Sequence, residues 1–267
     1  MTERARAQGL PAWGSVLAVV AHPDDESFGL GGVLAAFADA GAAVAVLCYT
    51  HGEASTLHGV EGNLSVVRVG ELADAARVLG AAPVRLLDLP DGALSEIGLD
   101  ELIAPVLDMA AQVRAEGLLA FDSAGVTGHP DHVRATAAAV AAAKRLGLDV
   151  LGWTLPVAVA TALAEEYMAG FTGHDRGEID VVIEVDRTRQ LEAVACHPSQ
   201  AIPGSVLWRR LELLGDYEHL RFLQEPHPHA EERCASPVKI LMIITGAADG
   251  QDATSTRGSS GRVDGRT

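Results

Sequence analysis

The sequence predicts an α/β fold: a mainly parallel, Rossmann-like sheet with helices on both faces. Short, near-continuous apolar runs alternate with longer stretches of helical periodicity, the pattern of buried parallel strands and their crossover helices. Hydrophobic residues make up 48% of the 267 residues, so one sizeable core can form. Aromatic residues are only 4%, so that core has to be aliphatic. We expect a single domain over residues 14–244, an N-terminal extension over 1–13 and a disordered tail over 245–267, where apolar residues almost vanish.

In chain order, Ser15 to Ala21 reads as a buried strand. Gly31 to Ala40 reads as a helix stopped by Gly41, and Ala43 to Tyr49 as the second strand. The glycines Gly29, Gly31 and Gly32 lack dinucleotide-fingerprint spacing, so we read them as letting the first helix approach the sheet. Leu64 to Leu79 has helical periodicity and ends at Gly80. Val84 to Leu89 is the third strand, closed by the turn signal Pro90-Asp91-Gly92. A helix over Asp100 to Glu116 takes Asp100 as N-cap, followed by a fourth strand, Leu118 to Phe121. Pro130 to Leu146 is an alanine-rich helix with proline at its first position, where a missing N–H costs nothing. Val150 to Leu155 is a further strand. Ile179 to Val185 alternates as a half-buried strand does, and Asp186 caps a helix to about Cys196. Val238 to Ile244 reads as an edge strand or a last buried segment.

Composition narrows the function. A net charge of −16 leaves no basic face for phosphates, so nucleic acid is not an expected partner, and anionic membranes are disfavoured. No apolar run approaches the roughly 20 residues of a membrane span, and the N-terminus lacks the apolar stretch of a secretory signal. Three cysteines without C-x-x-C spacing exclude a cysteine zinc site and fit a cytoplasmic location. No G-x-S-x-G is present, so a serine nucleophile is not indicated. Oligomeric state is left open, with a homo-oligomer compatible.

The informative stretch is His22-Pro23-Asp24-Asp25-Glu26, which puts an imidazole and three carboxylates straight after the first strand. Uncompensated charges at a buried strand end are costly, and a divalent metal is the simplest compensator. A second cluster, His129-Pro130-Asp131-His132, follows the fourth strand. Ligands of open α/β sheets bind beyond the carboxyl ends of strands, where both clusters fall. His22, Asp25 and His132 form a two-imidazole, one-carboxylate set typical of catalytic zinc, with ferrous iron the alternative. Asp24 is then free to act as general base, and His129 to act as acid or oxyanion stabiliser. Asp131 is expected to orient His129 through its second ring nitrogen. Glu26 is expected to serve the helix start or to support the ligands, and His197 to line the pocket or cap a helix.

Ala21-His22-Pro23-Asp24-Asp25-Glu26 together with Gly128-His129-Pro130-Asp131-His132 resembles the PIG-L/LmbE family of metal-dependent N-deacetylases acting on N-acetylglucosamine conjugates. The resemblance covers about residues 14–225 and implies an LmbE-like fold. By motif position it implies His22, Asp25 and His132 as zinc ligands, Asp24 as base, His129 as acid and Asp131 as its partner. It also implies substrate contacts at Glu53, in a Gly-Glu pair at the pocket rim, and at Arg68 in an Arg-x-x-Glu stretch. Asp91 resembles an aspartate that binds sugar hydroxyls. Thr127 stands where some mycothiol-pathway members carry a tyrosine. The expected function is metal-assisted removal of an N-acetyl group from a small glycoconjugate. The alternatives are an amidase cleaving a larger acyl group, as from a mycothiol conjugate, and a catalytically silent sugar- or metal-binding protein.

Overall fold

The computed structural model describes residues 9–57 and 59–224. The expected strand over Val238 to Ile244, the tail, and His58, His227, His229 and Cys234 lie outside the described residues.

The strands are β1 (Ser15–Val20), β2 (Ala43–Thr50), β3 (Ala81–Leu89), β4 (Gly117–Phe121), β5 (Asp149–Pro156), β6 (Gly173–His174), β7 (Val181–Glu184) and β8 (Tyr217–Phe222). The helices are α1 (Asp25–Phe28), α2 (Gly31–Asp39), α3 (Leu64–Leu79), α4 (Leu99–Val113), α5 (Pro130–Leu146), α6 (Val157–Tyr167), α7 (Arg187–Ala195) and α8 (Val206–Leu214). The sheet runs β3-β2-β1-β4-β5-β8-β7, with β6 beside β5. Strands β3 to β5 pair in parallel, while β8 is antiparallel to both β5 and β7. The α/β expectation therefore holds, with an antiparallel margin that periodicity did not signal.

Strand β1 lies at the centre, and every residue of it is buried. Its alternate residues feed two cores. Val16, Ala18 and Val20 pack with Leu34 and Phe37 of α2, Leu72 of α3 and Leu163 of α6. Leu17 and Val19 pack with Ile103, Val106 and Met109 of α4 and the alanine stripe of α5. Two-sided burial explains why these strands read as unbroken apolar runs. Small residues on α5 let its backbone come close to the sheet, which sets the helix carrying His132 firmly behind β1 and β4.

Several boundaries differ from expectation. Helix α4 starts at Leu99 with Gly98 as its N-cap, so Asp100 sits in the first turn instead of capping. Its carboxylate still opposes the helix dipole there. Strand β3 begins at Ala81 and is mostly half-exposed, because among the described residues it is the sheet edge and only one of its sides has a partner strand. Helix α6, strand β6, helix α8 and strand β8 were not anticipated. The glycines after α1 allow the close approach to the sheet that was expected, and also one to α7. A Cβ on Gly29 would meet the Phe121 ring at 2.4 Å, and one on Gly31 would meet the Gln190 side chain at 2.8 Å. They bring the α1–α2 corner against β4 and α7.

The order β3-β2-β1-β4-β5 places the reversal of strand order between β1 and β4. Crevices for ligands open at that switch point. The loops following these two neighbouring strands are those with the histidine clusters.

Candidate functional site

The loop after β1 turns sharply. Asp24 has φ 124°, which strains a residue with a Cβ. Surrounding bonds hold it there. Its N–H donates to Glu26 Oε2 at 2.9 Å, and its carbonyl accepts from Ser27 and Phe28. Asp25 Oδ2 accepts the N–H groups of Ala21 at 3.1 Å and His22 at 2.9 Å, which pins that carboxylate under the loop. On the other side, His129 caps α5 and Pro130 opens it, so His132 projects from the first turn.

His22, Asp25 and His132 converge. His22 Nδ1 lies 3.2 Å from His132 Nε2. His132 Nε2 lies 3.2 Å from Asp25 Oδ1, and His22 Nδ1 lies 3.7 Å from Asp25 Oδ2. A tetrahedral ion with ligand bonds near 2.0–2.1 Å separates its ligand atoms by about 3.3 Å, so these spacings suit one small cation. The outer ring nitrogens support the same conclusion. His132 Nδ1 faces the Gly125 carbonyl at 3.2 Å, so it carries the proton and leaves Nε2 bare. His22 Nε2 lies 3.0 Å from Asp91 Oδ1 and 3.5 Å from Asp131 Oδ2, close enough for a charge-assisted contact though not aligned as a hydrogen bond. That arrangement leaves His22 Nδ1 facing the gap, as the outer carboxylate partners of metal-bound histidines do. The Asp25 contacts use different oxygens, Oδ1 towards His132 and Oδ2 towards His22, while two groupings bring one ligand atom per residue within 4.8 Å of one another, His22 with His129 and His132, and His22 with Asp91 and Asp131. The tautomers favour the set that includes Asp25. The described residues thus contain a site able to hold a metal ion.

Electrostatics point the same way. Burial disfavours charge on His22, yet Asp131, Asp91 and the charges of Asp25 and Asp24 outweigh it and push its pKa up to about 10. The carboxylates around His22 favour a positive charge there, whether a proton or a bound cation. Burial also raises Asp25, but His132 and His22 hold it well below the usual carboxylate range.

Asp24 stands apart from the three converging groups. Its Oδ2 lies 3.0 Å from Arg68 Nη2. Burial raises its pKa to about 6, against the opposing pull of Arg68. Arg68 is itself buried at 2% exposure. It donates to the carbonyls of Gly52, at 2.7 Å, and Pro23, tying α3 to both loops.

Asp131 is placed differently from expectation. Its carboxylate accepts from Gly92 N–H at 2.7 Å and Leu94 N–H at 3.1 Å and faces His22. Only its backbone N–H reaches His129, donating to Nδ1 at 3.2 Å. The N1–N3 geometry of a helix start turns the Asp131 side chain inward, towards the β3 loop, and away from the capping residue. With Nδ1 accepting, a neutral His129 carries its proton on Nε2. Burial and the neighbouring His22 and His132 lower its pKa, which keeps it neutral. Asp91 likewise has its carboxylate occupied, by His22 and by Ala54 N–H at 2.8 Å. Glu53 is exposed and accepts Asp91 N–H at 3.0 Å, so it braces the β3 loop. Thr127 Oγ1 approaches His132 Nδ1 at 3.3 Å.

Beneath the site lies a buried ionic network. His197 and Glu26 are both fully buried, with Nε2 and Oε1 2.7 Å apart. Glu26 Oε2 holds the Asp24 N–H, and Glu71 accepts from the N–H and hydroxyl of Ser199. His197 therefore supports the strained loop from below and is absent from the cleft lining. Removing one partner of such a pair leaves an uncompensated buried charge, costing about 3–5 kcal/mol. His197→Ala should accordingly lower the thermal midpoint by roughly 10 °C, read by calorimetry. A midpoint within 2–3 °C of wild type would mean that the pair does not hold the loop.

The cleft above the cluster has a volume of about 300 Å³. Ser55, Arg68 and Asp91 line it on one flank and Phe121, Trp153 and Arg210 on the other, around Asp24, Asp25 and the histidines. A larger concavity of about 1060 Å³ lies elsewhere, against Val157, Asp180 and Ile183, and contains none of the cluster. Sequence reasoning missed Gln200 and Arg210. The signal for Arg210 was present, since Leu207, Arg210 and Leu214 recur at helical spacing, an arginine on an apolar stripe. No helix of the described residues is long and apolar enough to cross a membrane.

Residues 17–144 match the PIG-L family profile, described as GlcNAc-PI de-N-acetylase. The chain is 33% identical over 158 residues to a 1D-myo-inositol 2-acetamido-2-deoxy-alpha-D-glucopyranoside deacetylase of Kineococcus radiotolerans, covering 48% of this chain and 44% of that one. A protein of the same description from Saccharomonospora viridis is 33% identical over 49% of this chain and 58% of its own length. The chain thus spans about half the length of the curated relatives it matches. Among solved structures, the antimicrobial reagent A40926 pseudoaglycone deacetylase superposes with TM-score 0.61 at 21% identity, over 80% of this chain and 98% of that one. The 4-carboxy-2-hydroxymuconate hydratase of Pseudomonas putida gives 0.59 at 19%, over 79% and 96%. These likenesses establish the shared fold, which hosts more than one reaction.

Proposed function

We propose, from the premise that this chain carries a PIG-L-family domain, that it is a zinc-dependent hydrolase removing an N-acetyl group from an N-acetylglucosamine-type conjugate. The observation that carries this reading is the convergence of His22 Nδ1, His132 Nε2 and the Asp25 carboxylate, with Asp24 and His129 left over on the same cleft. Two imidazoles and a carboxylate suit zinc, and ferrous iron accepts the same donors. A zinc ion held there supplies Lewis acidity and eases deprotonation of water near neutral pH. The curated relatives are described as deacetylases of an acetamido sugar, which favours the same substrate class.

The chain's own residues complete the chemistry. Asp24 accepts the proton of the attacking water. Its pKa near 6 lets it be ionised at neutral pH and still hold a proton briefly. Arg68 fixes the direction of that carboxylate. His129, neutral with hydrogen on Nε2, donates to the charge developing on the carbonyl oxygen or to the departing nitrogen. A donor of this kind needs no imidazolium. Asp91 and Asp131 orient His22 instead of contacting the reacting atoms.

The test is to screen zinc-reconstituted protein against N-acetylglucosamine conjugates and glucosamine amides of larger acyl groups, detecting released amine. Release from the N-acetyl compounds is expected. Release only from the larger amides would make the protein an amidase, and metal binding without any release would make it a silent binding protein.

A further inference from the structure

Arg210 is an expensive residue to bury where it lies. It sits on α8 at 7% exposure, and its guanidinium stacks 5.0 Å from the centroid of the Trp153 ring. One Nη donates to the Phe28 carbonyl, while Nε is buried without a hydrogen-bond partner among the described residues. Among the described residues no carboxylate forms an ion pair with it. Glu218, the acid whose charge it feels most, is already held by Arg187 and by the Trp153 indole N–H at 2.6 Å. Glu218, Asp25 and Asp24 stabilise the charge only from beyond ion-pair distance, so the fork of a buried guanidinium on an apolar helix face is left without a carboxylate in direct contact and is available for a second role. Arg210 also lines the cleft.

The sheet order gives that role a place. Ser55, Arg68 and Asp91 belong to the β2 and β3 side of β1, whereas Phe121 ends β4 and Trp153 lies beside it within β5 on the other side. Arg210 and Trp153 therefore form a wall across the histidine cluster from the flank with Arg68 and Asp91. A guanidinium fork fixed by stacking matches the planar spacing of carboxylate and phosphate oxygens.

We propose that Arg210, stacked on Trp153, is a specificity-determining residue that receives an anionic oxygen group of the substrate, a carboxylate or a phosphate. This rests on the cleft being the substrate site of the hydrolase described above. The anion is carried either by the acyl group or by the sugar, and the experiment separates the two.

Zinc-loaded full-length protein is titrated calorimetrically with methyl N-acetylglucosaminide, N-acetylglucosamine 6-phosphate and N-succinylglucosamine, and amine release is followed in the same samples. At least one anionic ligand should bind about tenfold or more tightly than the neutral one, the size expected of a charge-assisted contact. Tighter N-succinylglucosamine places the anion on the acyl side, and tighter sugar phosphate on the sugar side. Arg210→Gln should abolish that preference and weaken the neutral ligand by a smaller factor. Arg210→Lys, which keeps charge but loses the fork, should retain part of the preference. Equal binding of all three by wild type overturns the proposal, as does an Arg210→Gln variant that weakens all three alike. Should Arg210→Gln fail to fold, the wild-type preference and Arg210→Lys decide. A preference for anions without any amine release sinks the hydrolase reading and leaves this one standing.

Discussion

Asp24→Asn should retain bound zinc yet lose about 10²- to 10⁴-fold in turnover, the usual contribution of a positioned general base. Asparagine is the right replacement for a structural reason. Asp24 has φ 124°, which a short polar side chain tolerates better than alanine does. Alanine would mix backbone strain with the loss of the base. The amide oxygen can still face Arg68, whose Nη2 lies 3.0 Å from Oδ2, and the bonds from Glu26 and Phe28 to the loop stay in place. The three converging ligand atoms come from other residues, so metal content measured by atomic emission should not change. The folded fraction is checked by thermal midpoint. A metal-replete variant that releases amine at near wild-type rate would remove Asp24 as base and leave the cleft without a candidate for that step.

Much of this arrangement was legible in the sequence because its parts are local. His22 to Asp25 lie within one turn, and His129 to His132 span a single helix start, so motif and geometry coincide. The parallel strands were legible because burial on both faces makes them continuous apolar runs. What escaped depended on contacts between distant segments. Asp131 was paired with its sequence neighbour His129, but the packing of the β3 loop on α5 gives its carboxylate to Gly92, Leu94 and His22. Glu26 found its partner in His197, across the whole domain. Strand β8 has too many polar residues to signal a buried strand, since Glu218 and Arg221 satisfy themselves through Arg187, Trp153 and Asp122. Arg210 carried a local signal in the Leu207, Arg210, Leu214 spacing of α8, but its place on the cleft depends on contacts with Trp153 and Phe28 in distant segments.

His132→Ala should abolish hydrolysis and most of the stabilisation that zinc confers. The wild-type cluster has Asp25, Asp91 and Asp131 around His22, and without an ion a proton on His22 takes up part of that charge. An ion that binds only the folded chain adds stability by mass action, about 4 kcal/mol at a free concentration 1,000 times its dissociation constant. For a domain of this size that is roughly 8–16 °C in thermal midpoint, reversed by a chelator. Removing His132 deletes one of three ligands and frees Asp25 Oδ1 from its 3.2 Å neighbour, so the zinc-induced rise should shrink to a few degrees. His129→Ala serves as the contrast. If Asp25 is the third ligand, His129→Ala keeps the zinc-induced rise while losing turnover, because its Nδ1 is committed to the Asp131 N–H. If His129 were the ligand in its place, His129→Ala would lose the rise and Asp25→Asn would keep it. A His132→Ala protein with the full zinc-induced rise and wild-type turnover would show that the ion sits elsewhere, and with it the assignment of Asp24 and His129 to the chemistry would fall.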